Sequence, residues 1–325
     1  MPPVPGTREE WVYQKARQLA SHSQPDKLVI VGDTTNYMAI ERDHVVELEG
    51  TLFLIRGNEH EGRFGIDDQP KFWVKRAIDL QTGRMHILKL VFHEEFHARV
   101  GSLHVKCVRS PEKEAQVLEL VHGDHRFMQG GTARDVCGNL VRVIDHIPGV
   151  DLLSYVHALP AKHEEYFQAH FPAILPQVIG SLRGIQRLHD AGLCHGDIRN
   201  DHLLIERASG QYKWIDFDLN EDFLDFDIWS AGNILHCVVG RGFVSFRDAI
   251  QASPELAGRL SDDDASVFFP HRVMNLRKVF PYVPASLNDV LMRFSAGAQV
   301  FYDKMSQVAD DLEECAAGLG RSQAT

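Results

Sequence analysis

Apolar positions follow one spacing near the start of the chain and another soon after it. Between Arg8 and about Ala20 they recur at helical intervals, at Trp11, Val12, Ala16 and Leu19. From Lys27 to about Val91, short runs rich in Val, Ile, Phe, Trp and Leu are separated by glycine and charged turns, which is typical of antiparallel sheet. The pattern therefore predicts a helix followed by a sheet.

One hairpin stands out within the predicted sheet. Two apolar runs, Phe72–Ile78 and His86–Val91, flank the turn-like sequence Gln81-Thr82-Gly83. Because short apolar runs around such a break are the signature of paired strands, we expect these two strands to be neighbours.

Helical spacing returns in two steps beyond the sheet. A short helix is predicted from Pro111 to Leu120, because proline suits its first turn and the early glutamates suit its positive end. A further hairpin is expected up to Ile147. After Pro148-Gly149 one buried helical face recurs at Ile174, Leu175, Val178, Ile179, Leu182, Ile185 and Leu188. We expect an α+β chain with a helical extension over 1–35, a sheet-rich lobe over 36–147 and a mainly helical lobe over 148–325.

Composition allows a folded core and argues against one class of partner. The chain has 325 residues, of which 44% are hydrophobic and 24% charged, so it is long enough for two lobes. Its formal net charge is −11. Binding to nucleic acid or to an anionic membrane surface without specificity needs a surplus of Lys and Arg, so we expect neither partner.

Cysteine usage and hydropathy indicate the compartment. The five cysteines are scattered and include no Cys-x-x-Cys pair, so neither a disulfide framework nor a cysteine zinc site is predicted. The N-terminal segment lacks the apolar region of a signal peptide, and no stretch approaches the length of a membrane span. We expect a cytoplasmic protein with no membrane span.

The residues that carry chemistry lie in one polar loop and at the end of the hairpin that follows it. The loop contains His195, Asp197 and Arg199, and the second strand of the hairpin leads to Asp216. Two carboxylates therefore come to adjacent strand ends. One can accept a hydrogen bond from an incoming hydroxyl and the other can bind a Mg²⁺ that bridges phosphates, which is the arrangement that phosphoryl transfer needs.

This part of the chain resembles the catalytic centre of protein kinases. The sequence His195-Gly-Asp-Ile-Arg199 is similar to the His-Arg-Asp-x-Lys catalytic loop, and Ile215-Asp-Phe-Asp218 is similar to the Asp-Phe-Gly motif. Asp227-Ile-Trp-Ser-Ala-Gly232 resembles the kinase helix whose aspartate holds the backbone of the catalytic loop. The resemblance implies a two-lobed protein-kinase-like fold.

The resemblance also implies roles for two residues of the sheet-rich lobe. The stretch ending at Lys89 is similar to the second and third kinase strands, which makes Lys89 the candidate ligand of the α- and β-phosphates, with Lys75 as the alternative. Glu114 is similar to the helical glutamate that pairs with this lysine. Glu112 and Glu119 lie on the same predicted helix, and a solvated carboxylate remains an alternative for Glu114.

Two further segments correspond to parts that bind nucleotide in the family. Val143–Leu152 resembles the hinge that receives adenine through backbone hydrogen bonds, which makes Asp145 and Ile147 candidates. Gly62 and Gly65 resemble the glycine-rich loop but stand several residues too far ahead of the next strand. Either the loop carries an insertion or the cover over the phosphates is degraded, and ordinary turn glycines are the alternative.

Some positions depart from the protein-kinase pattern. Five residues after Asp197, where the family has a metal-binding asparagine, this chain has His202, a poorer ligand for Mg²⁺. Binding of a second metal ion is therefore in doubt. His202 either binds metal or has a structural role as a capping or packing residue. Asp218 replaces the glycine of Asp-Phe-Gly. That feature and Gly196 are shared in outline with aminoglycoside phosphotransferases and lipopolysaccharide-core kinases, which indicates an atypical kinase.

The segment after the metal-binding aspartate is short. Only ten residues separate Asp216 from Asp227, where a regulated protein kinase places an activation segment that docks its peptide substrate. We therefore expect no control by phosphorylation of an activation loop.

A competing motif occurs at His93-Glu-Glu-Phe-His97, which fits the His-Glu-x-x-His signature of zinc hydrolases. The segment directly follows a predicted strand and has no obvious third ligand. We interpret it as a charged linker before the helix at Pro111.

The sequence leads to one main hypothesis and one alternative. The main hypothesis is a phosphotransferase that uses ATP and Mg²⁺ or Mn²⁺ to phosphorylate a hydroxyl of a protein or a small molecule. Asp197 would orient or deprotonate that hydroxyl, Arg199 would neutralise charge, and Asp216 would hold the metal. The alternative is a pseudokinase, a module that binds nucleotide or acts as a scaffold with little turnover.

Overall fold

The computed structural model describes residues 6–19, 29–63, 66–100, 103–160, 162–221 and 225–322, and it divides into two compact units. The first unit comprises Met1–Glu94, Arg109–Asp124 and Met128–Ile147. The second comprises Glu95–Val108, His125–Phe127 and Pro148–Thr325. The hairpin at 95–108 thus belongs to the second unit, although it lies within the range 36–147 that the sequence suggests for the first lobe.

The described elements are numbered in chain order. The strands are β1 (Ile30–Val31), β2 (Val45–Leu48), β3 (Thr51–Arg63), β4 (Ile66–Asp79), β5 (Met85–Lys89), β6 (Glu94–Val100), β7 (Leu103–Arg109), β8 (Gly130–Arg134), β9 (Leu140–Asp145), β10 (Gly149–Asp151), β11 (Leu203–Glu206), β12 (Tyr212–Trp214) and β13 (Leu219–Glu221). The helices are α1 (Arg8–Leu19), α2 (Pro111–Leu120), α3 (Leu152–Ala158), α4 (His163–Ala169), α5 (Phe171–Asp190), α6 (Asp225–Gly240), α7 (Phe246–Ala252), α8 (Leu276–Val279), α9 (Ala285–Met292) and α10 (Met305–Ser322).

A seven-stranded sheet forms the first unit. Its strand order is β1-β2-β3-β4-β5-β9-β8, and the neighbouring strands are antiparallel except for the parallel pair β1 and β2. The hairpin predicted around Gly83 is confirmed, because Val74 pairs with Lys89 and Ile78 pairs with Met85. The hairpin predicted before Ile147 is confirmed as β8 and β9.

Both faces of the sheet are covered near β3. Successive side chains of a strand point to opposite faces, so Leu52 and Leu54 face one side while Phe53 and Ile55 face the other. The first pair packs with Val12 and Ala16 of α1, and all of these side chains are buried. The predicted N-terminal helix is therefore confirmed, and it covers one face of the sheet.

The strands β3 and β4 are much longer than their neighbours. Their pairing continues from Asn58 opposite Lys75, through a bulge in β4, to Arg63 opposite Ile66. Longer strands on both sides of the turn therefore account for the large separation in sequence between Gly62 and the residues around Val74.

The segment interpreted as a charged linker before α2 is instead a pair of strands, which corrects the sequence prediction. Strands β6 and β7 join β13 in a three-stranded sheet with the order β13-β7-β6. The many charged residues in this segment concealed the alternation that a strand needs, because a sheet with one solvated face tolerates charge at every second position.

Helices dominate the second unit. The buried face predicted for α5 is confirmed, since all seven apolar positions from Ile174 to Leu188 are buried. Helix α5 packs against α10, where Arg183 donates to Glu313 through Nε at 3.0 Å. A small sheet with the order β10-β11-β12 lies in the same unit, and its last two strands form the hairpin predicted before Asp216. Within the described parts of the chain, no helix has both the length and the apolar character that crossing a bilayer requires.

Candidate active site

Helix α2 positions one glutamate in the interior of the first unit. The helix begins at Pro111, and the hydroxyl of Ser110 accepts the backbone N–H of Glu112 at 3.2 Å, which caps the helix end. Glu112 and Glu119 are exposed, whereas Glu114 is fully buried. The structure therefore distinguishes among the three glutamates that the sequence left open.

The buried carboxylate of Glu114 is shared by two cations. Its Oε1 accepts a hydrogen bond from Nζ of Lys89 at 2.6 Å, and its Oε2 accepts one from Nε of Arg142 at 3.2 Å. All three side chains are at least nine-tenths buried. Because buried charges persist only when they are paired, this ion triad fixes the ammonium group of Lys89 at the end of β5.

Arg142 was missed by the sequence analysis. Its Nη1 also donates to the carbonyl oxygens of Leu90 and Leu140, at 3.3 and 3.2 Å. The available signal was an arginine in the middle of the apolar run Leu140-Val-Arg-Val-Ile, where a charged side chain is either on an edge or paired in the interior.

Lys75 occupies a different environment from Lys89. Its Nζ donates to the carbonyl oxygen of Ile40 at 2.6 Å and to Oδ1 of Asn58 at 2.8 Å, and the side chain is fully buried. Burial lowers the pKa of this ammonium from 10.5 to about 8, although the negative charge of Glu41 acts in the opposite direction. The two hydrogen-bond acceptors of Lys75 are neutral oxygens, whereas Lys89 donates to a carboxylate.

The hinge candidates lie at the end of β9. The backbone N–H of Asp145 donates to the carbonyl oxygen of Gln129 at 2.8 Å, so this N–H is already engaged within the first unit. The side chain of Asp145 lies 3.4 Å from Nδ1 of His86. Ile147 is the last residue of the first unit. Gly62 lies near the end of β3, and Gly65 lies outside the described residues.

In the second unit, Asp227 holds the backbone of the candidate catalytic loop, which is the contact that the resemblance implies. Its two carboxylate oxygens accept the backbone N–H groups of His195 at 2.6 Å and Gly196 at 2.8 Å. Nε2 of His189 donates to the same carboxylate at 2.9 Å. Burial raises the pKa of Asp227, but the His189 hydrogen bond, the nearby histidine charges and the N–H of Gly196 outweigh it, and the net pKa is lowered.

His189 had no assigned role in the sequence analysis, and it connects the end of α5 to this carboxylate. A histidine in the last turn of the helix immediately before the loop was the available signal. The ring of His195 is buried in the loop and packs at 4.5 Å from the ring of Phe217 and at 5.1 Å from that of Trp214. The start of the loop is therefore held by hydrogen bonds to its backbone and by packing of its first side chain.

The structure brings His202 between the two candidate catalytic carboxylates. Its Nδ1 donates to the backbone carbonyl oxygen of Asp197 at 2.8 Å and lies 3.6 Å from Oδ2 of that residue. Its Nε2 lies 3.5 Å from Oδ2 of Asp216. The imidazole is 5% exposed, Asp216 is 10% exposed and Asp197 is 24% exposed, so the base candidate is the most accessible of the three.

Asp216 has a left-handed backbone conformation, with φ of 69°. Such a conformation is uncommon for residues other than glycine, and Asp and Asn tolerate it best. Backbone strain of this kind is concentrated at functional sites, where the surrounding structure must hold it.

Arg199 is paired with a neighbour along the chain. Its Nε donates to Oδ1 of Asp201 at 2.9 Å, and a second contact joins its Nη2 to Oδ2. The side chain of Arg199 is 37% exposed. A phosphate at this position would compete with the Asp201 carboxylate for the same donors.

The His-Glu-x-x-His match does not have the backbone of a zinc helix. His93 precedes β6 and His97 lies within this strand, whereas the signature places both histidines on one helical face. Among the residues that the structure describes, no three His, Cys, Asp or Glu side chains form a metal cage.

Sequence comparison finds partial similarity to two protein kinases. No protein-family model matches the chain. The serine/threonine-protein kinase sax-1 of Caenorhabditis briggsae is 27% identical over 138 residues, which are 42% of this chain and 26% of that protein. The sax-1 kinase of Caenorhabditis elegans is 26% identical over 138 residues, with the same two coverages. The chain thus matches about a quarter of the length of these curated relatives.

Solved structures show the fold directly. The kinase domain of Mycobacterium tuberculosis PknI matches with a TM-score of 0.50 and 15% identity, over 85% of this chain and 99% of that one. A double mutant of the same domain matches with a TM-score of 0.51 and 13% identity, over 86% and 100%. The chain therefore has the α+β fold of these kinase domains.

Proposed function

We propose that the protein is a phosphotransferase that moves the γ-phosphoryl group of ATP to a hydroxyl. The observation that carries the proposal is the clustering of Asp197 and His202, on a loop whose start is held by buried hydrogen bonds, with Asp216, which follows β12. Phosphoryl transfer depends on positioning and on charge neutralisation more than on covalent chemistry, and two carboxylates held on either side of one buried imidazole are suited to both.

Asp197 has the properties of the residue that receives the substrate hydroxyl. It is the most exposed of the three clustered side chains, and His202 holds its backbone carbonyl. A carboxylate fixed in this way accepts a hydrogen bond from an incoming hydroxyl and orients its oxygen for attack. Arg199 would neutralise charge on the transferred group by exchanging its Asp201 partner for phosphate oxygens.

Lys89 and Glu114 support the same proposal from the first unit. The ammonium of Lys89 is held at 2.6 Å from Glu114, in the manner expected of a lysine that binds phosphate oxygens of the nucleotide. The backbone of Asp145 and Ile147 is proposed to contact adenine, and Gly62 with Gly65 to cover phosphates.

The donor atoms fit a divalent metal. A carboxylate from Asp216 and an imidazole from His202 face each other, and a kinase-type metal needs only one or two protein ligands because phosphates and water complete its shell. The metal, when bound, neutralises phosphate charge. Asp216 would hold this metal, and His202 lies beside its carboxylate.

Two features bear on the acceptor. The short stretch between Asp216 and Asp227 leaves little chain to dock an extended peptide, which supports a small-molecule hydroxyl, whereas the Trp-Ser-x-Gly sequence at the start of α6 resembles protein kinases. Both acceptor classes belong in the first substrate screen.

The test is ATP consumption by the purified protein with Mg²⁺ or Mn²⁺, with mass spectrometry for self-phosphorylation. Asp197→Asn and Asp216→Asn should each lower turnover at least about a hundredfold, and Asn at 216 tolerates the left-handed backbone. Asp190→Asn, an exposed aspartate at the end of α5, is the matched control and should have no effect. Nucleotide binding without turnover under either metal would favour a pseudokinase instead.

A further inference from the structure

We propose that His202 is a nitrogen ligand of the catalytic metal and that the pair it forms with Asp216 makes this site select Mn²⁺ or a similar transition metal over Mg²⁺. The inference rests on the proposed function for its biological meaning. Its evidence is the geometry of the imidazole.

The hydrogen bond at Nδ1 determines the tautomer of His202. A backbone carbonyl oxygen can only accept, so the contact with Asp197 at 2.8 Å requires Nδ1 to carry the proton. In the neutral ring the lone pair is then on Nε2. Metal-binding histidines generally use this arrangement, in which one ring nitrogen donates to a carbonyl or carboxylate and the other binds the ion.

The atom that carries the lone pair faces the metal-binding carboxylate. Nε2 of His202 lies 3.5 Å from Oδ2 of Asp216. Nitrogen and oxygen ligands bind divalent transition ions at about 2.1 Å, so one ion can bridge two donors at this separation. Both side chains are at most 10% exposed, so their positions are set by packing and not by solvent.

The orientation of the His202 ring also supports metal ligation through Nε2. The imidazole of His202 is nearly parallel to the buried ring of His195, with an interplanar angle of 11° and ring centroids 6.1 Å apart. Because Nδ1 is bonded to the Asp197 carbonyl, the ring cannot turn Nε2 away from Asp216 without losing that hydrogen bond. If His202 only capped the loop, its bond to the Asp197 carbonyl would suffice, and the position of Nε2 beside Asp216 would have no consequence.

Replacing an oxygen donor by imidazole changes which ion is preferred. Mg²⁺ takes oxygen ligands almost exclusively, whereas the affinity of nitrogen-containing sites for divalent transition ions rises from Mn²⁺, the weakest binder of that row, through Fe²⁺ and Co²⁺. The protein contributes one carboxylate and one imidazole, and phosphate oxygens and water complete the shell. A site with this mixed donor set gains affinity for Mn²⁺ that an all-oxygen site lacks.

The experiment measures metal binding without turnover. Mn²⁺ is titrated by electron paramagnetic resonance into the full chain, alone and with inorganic triphosphate, which supplies phosphate oxygens but no nitrogen. Pulsed measurements on the bound ion then detect coupling to a directly bound ¹⁴N. We expect this coupling in the wild type, its loss in His202→Asn, and a fall of about tenfold or more in the ratio of Mn²⁺ to Mg²⁺ affinity in that variant.

Two further variants localise the signal. Asp216→Asn should weaken Mn²⁺ binding, because it removes the charged ligand of the pair. His122→Asn, at an exposed histidine in the chain's other His-Gly-Asp sequence, is the matched control and should leave both affinity and coupling unchanged. Circular dichroism of each variant confirms that it is folded.

The results separate this inference from the proposed function. Nitrogen ligation would be overturned if the wild-type protein shows no ¹⁴N coupling, either with Mn²⁺ alone or with Mn²⁺ and triphosphate. It would also be overturned if His202→Asn leaves the ratio of Mn²⁺ to Mg²⁺ affinity unchanged. Both conclusions hold even if ATP turnover is observed. Coupling that depends on His202 would support nitrogen ligation even if no acceptor is ever phosphorylated, in which case the phosphotransferase proposal alone fails.

Discussion

Nε of Arg142 lies 3.2 Å from Oε2 of Glu114, and both side chains are almost completely buried. Because Lys89 occupies the other carboxylate oxygen, Glu114 is the only anion in a triad with two cations. The three charges are therefore unequal in their effect on stability. Removing the anion leaves two buried cations facing each other, whereas removing Arg142 leaves a balanced pair.

Glu114→Gln should therefore destabilise the protein more than Arg142→Met. We expect Glu114→Gln to lower the free energy of unfolding by about 3–5 kcal/mol, the range for breaking a buried ion pair from one side. Urea unfolding followed by circular dichroism measures both variants, and Glu119→Gln on the exposed face of the same helix is the control. Equal losses for the two core variants would show that Glu114 is not the shared partner.

The two buried lysines should differ in function. Lys89→Met removes the ammonium that Glu114 positions and should reduce ATP turnover at least about tenfold, because charge-assisted hydrogen bonds to phosphate are strong. Lys75→Met removes an ammonium that contacts only a carbonyl and an amide oxygen among the hydrogen bonds seen, so turnover should be retained. Steady-state ATP turnover is measured for both variants. If Lys75→Met loses turnover and Lys89→Met retains it, Lys75 and not Lys89 is the lysine that binds the phosphates.

Stability should depend on acid pH through Asp227. Its pKa in the folded protein lies below the ordinary value of 3.8, so its contribution is complete at neutral pH and is lost as the pH falls below that value. Asp227→Asn should therefore be least stable relative to the wild type at pH 7, and the difference should shrink at about pH 3. Denaturant unfolding of both proteins at the two pH values gives the difference.

A control is available for the same experiment. Asp190→Asn changes an exposed carboxylate, and its effect should be near zero at both pH values. A difference for Asp227→Asn that stays constant from pH 7 to pH 3 would mean that the Asp227 carboxylate is not held in its charged form.

The backbone conformation at position 196 gives a physical reason for glycine there, where the His-Arg-Asp pattern has arginine. Its φ is +84°, a left-handed conformation in which a side chain costs about 1 kcal/mol. Gly196→Ala should lower the free energy of unfolding by about this amount and should weaken turnover, because its N–H must still reach Asp227. Gly131→Ala, at a strand glycine without positive φ and with open space around it, is the control. Wild-type stability and turnover in Gly196→Ala would show that the loop can adopt another conformation.

Much of the fold was predictable because its elements have local signatures. Helix α2 was predicted from its proline start and early acidic residues, and α5 from the spacing of its apolar face. Strands β6 and β7 were missed, because the start of β6 carries Glu94, Glu95 and His97 directly after His93, a composition that resembles a linker. Strand β6 pairs with β7, and β7 pairs in turn with β13, more than a hundred residues away along the chain, a contact that is not visible in local sequence.

Candidate site residues were predictable where a motif fixed their order, as with Asp197, Asp216 and Asp227. The contacts that these and the neighbouring residues make could not be predicted from the sequence. Nothing in the sequence showed that Glu114 is shared with Arg142, since the two lie 28 positions apart on different elements. Nor did it show that Nδ1 of His202 is committed to a carbonyl, which decides what Nε2 can do.

Asp227 holds the loop by accepting hydrogen bonds from main-chain N–H groups, and every residue except proline has such a group. These two contacts do not depend on the side chain at 195, whereas the left-handed backbone of Gly196 and the hydrogen bond from the His202 ring do depend on residue type. The start of the loop is thus fixed largely by two helices, by α6 through Asp227 and by α5 through His189. A substitution at either of these residues can therefore alter the loop from outside it.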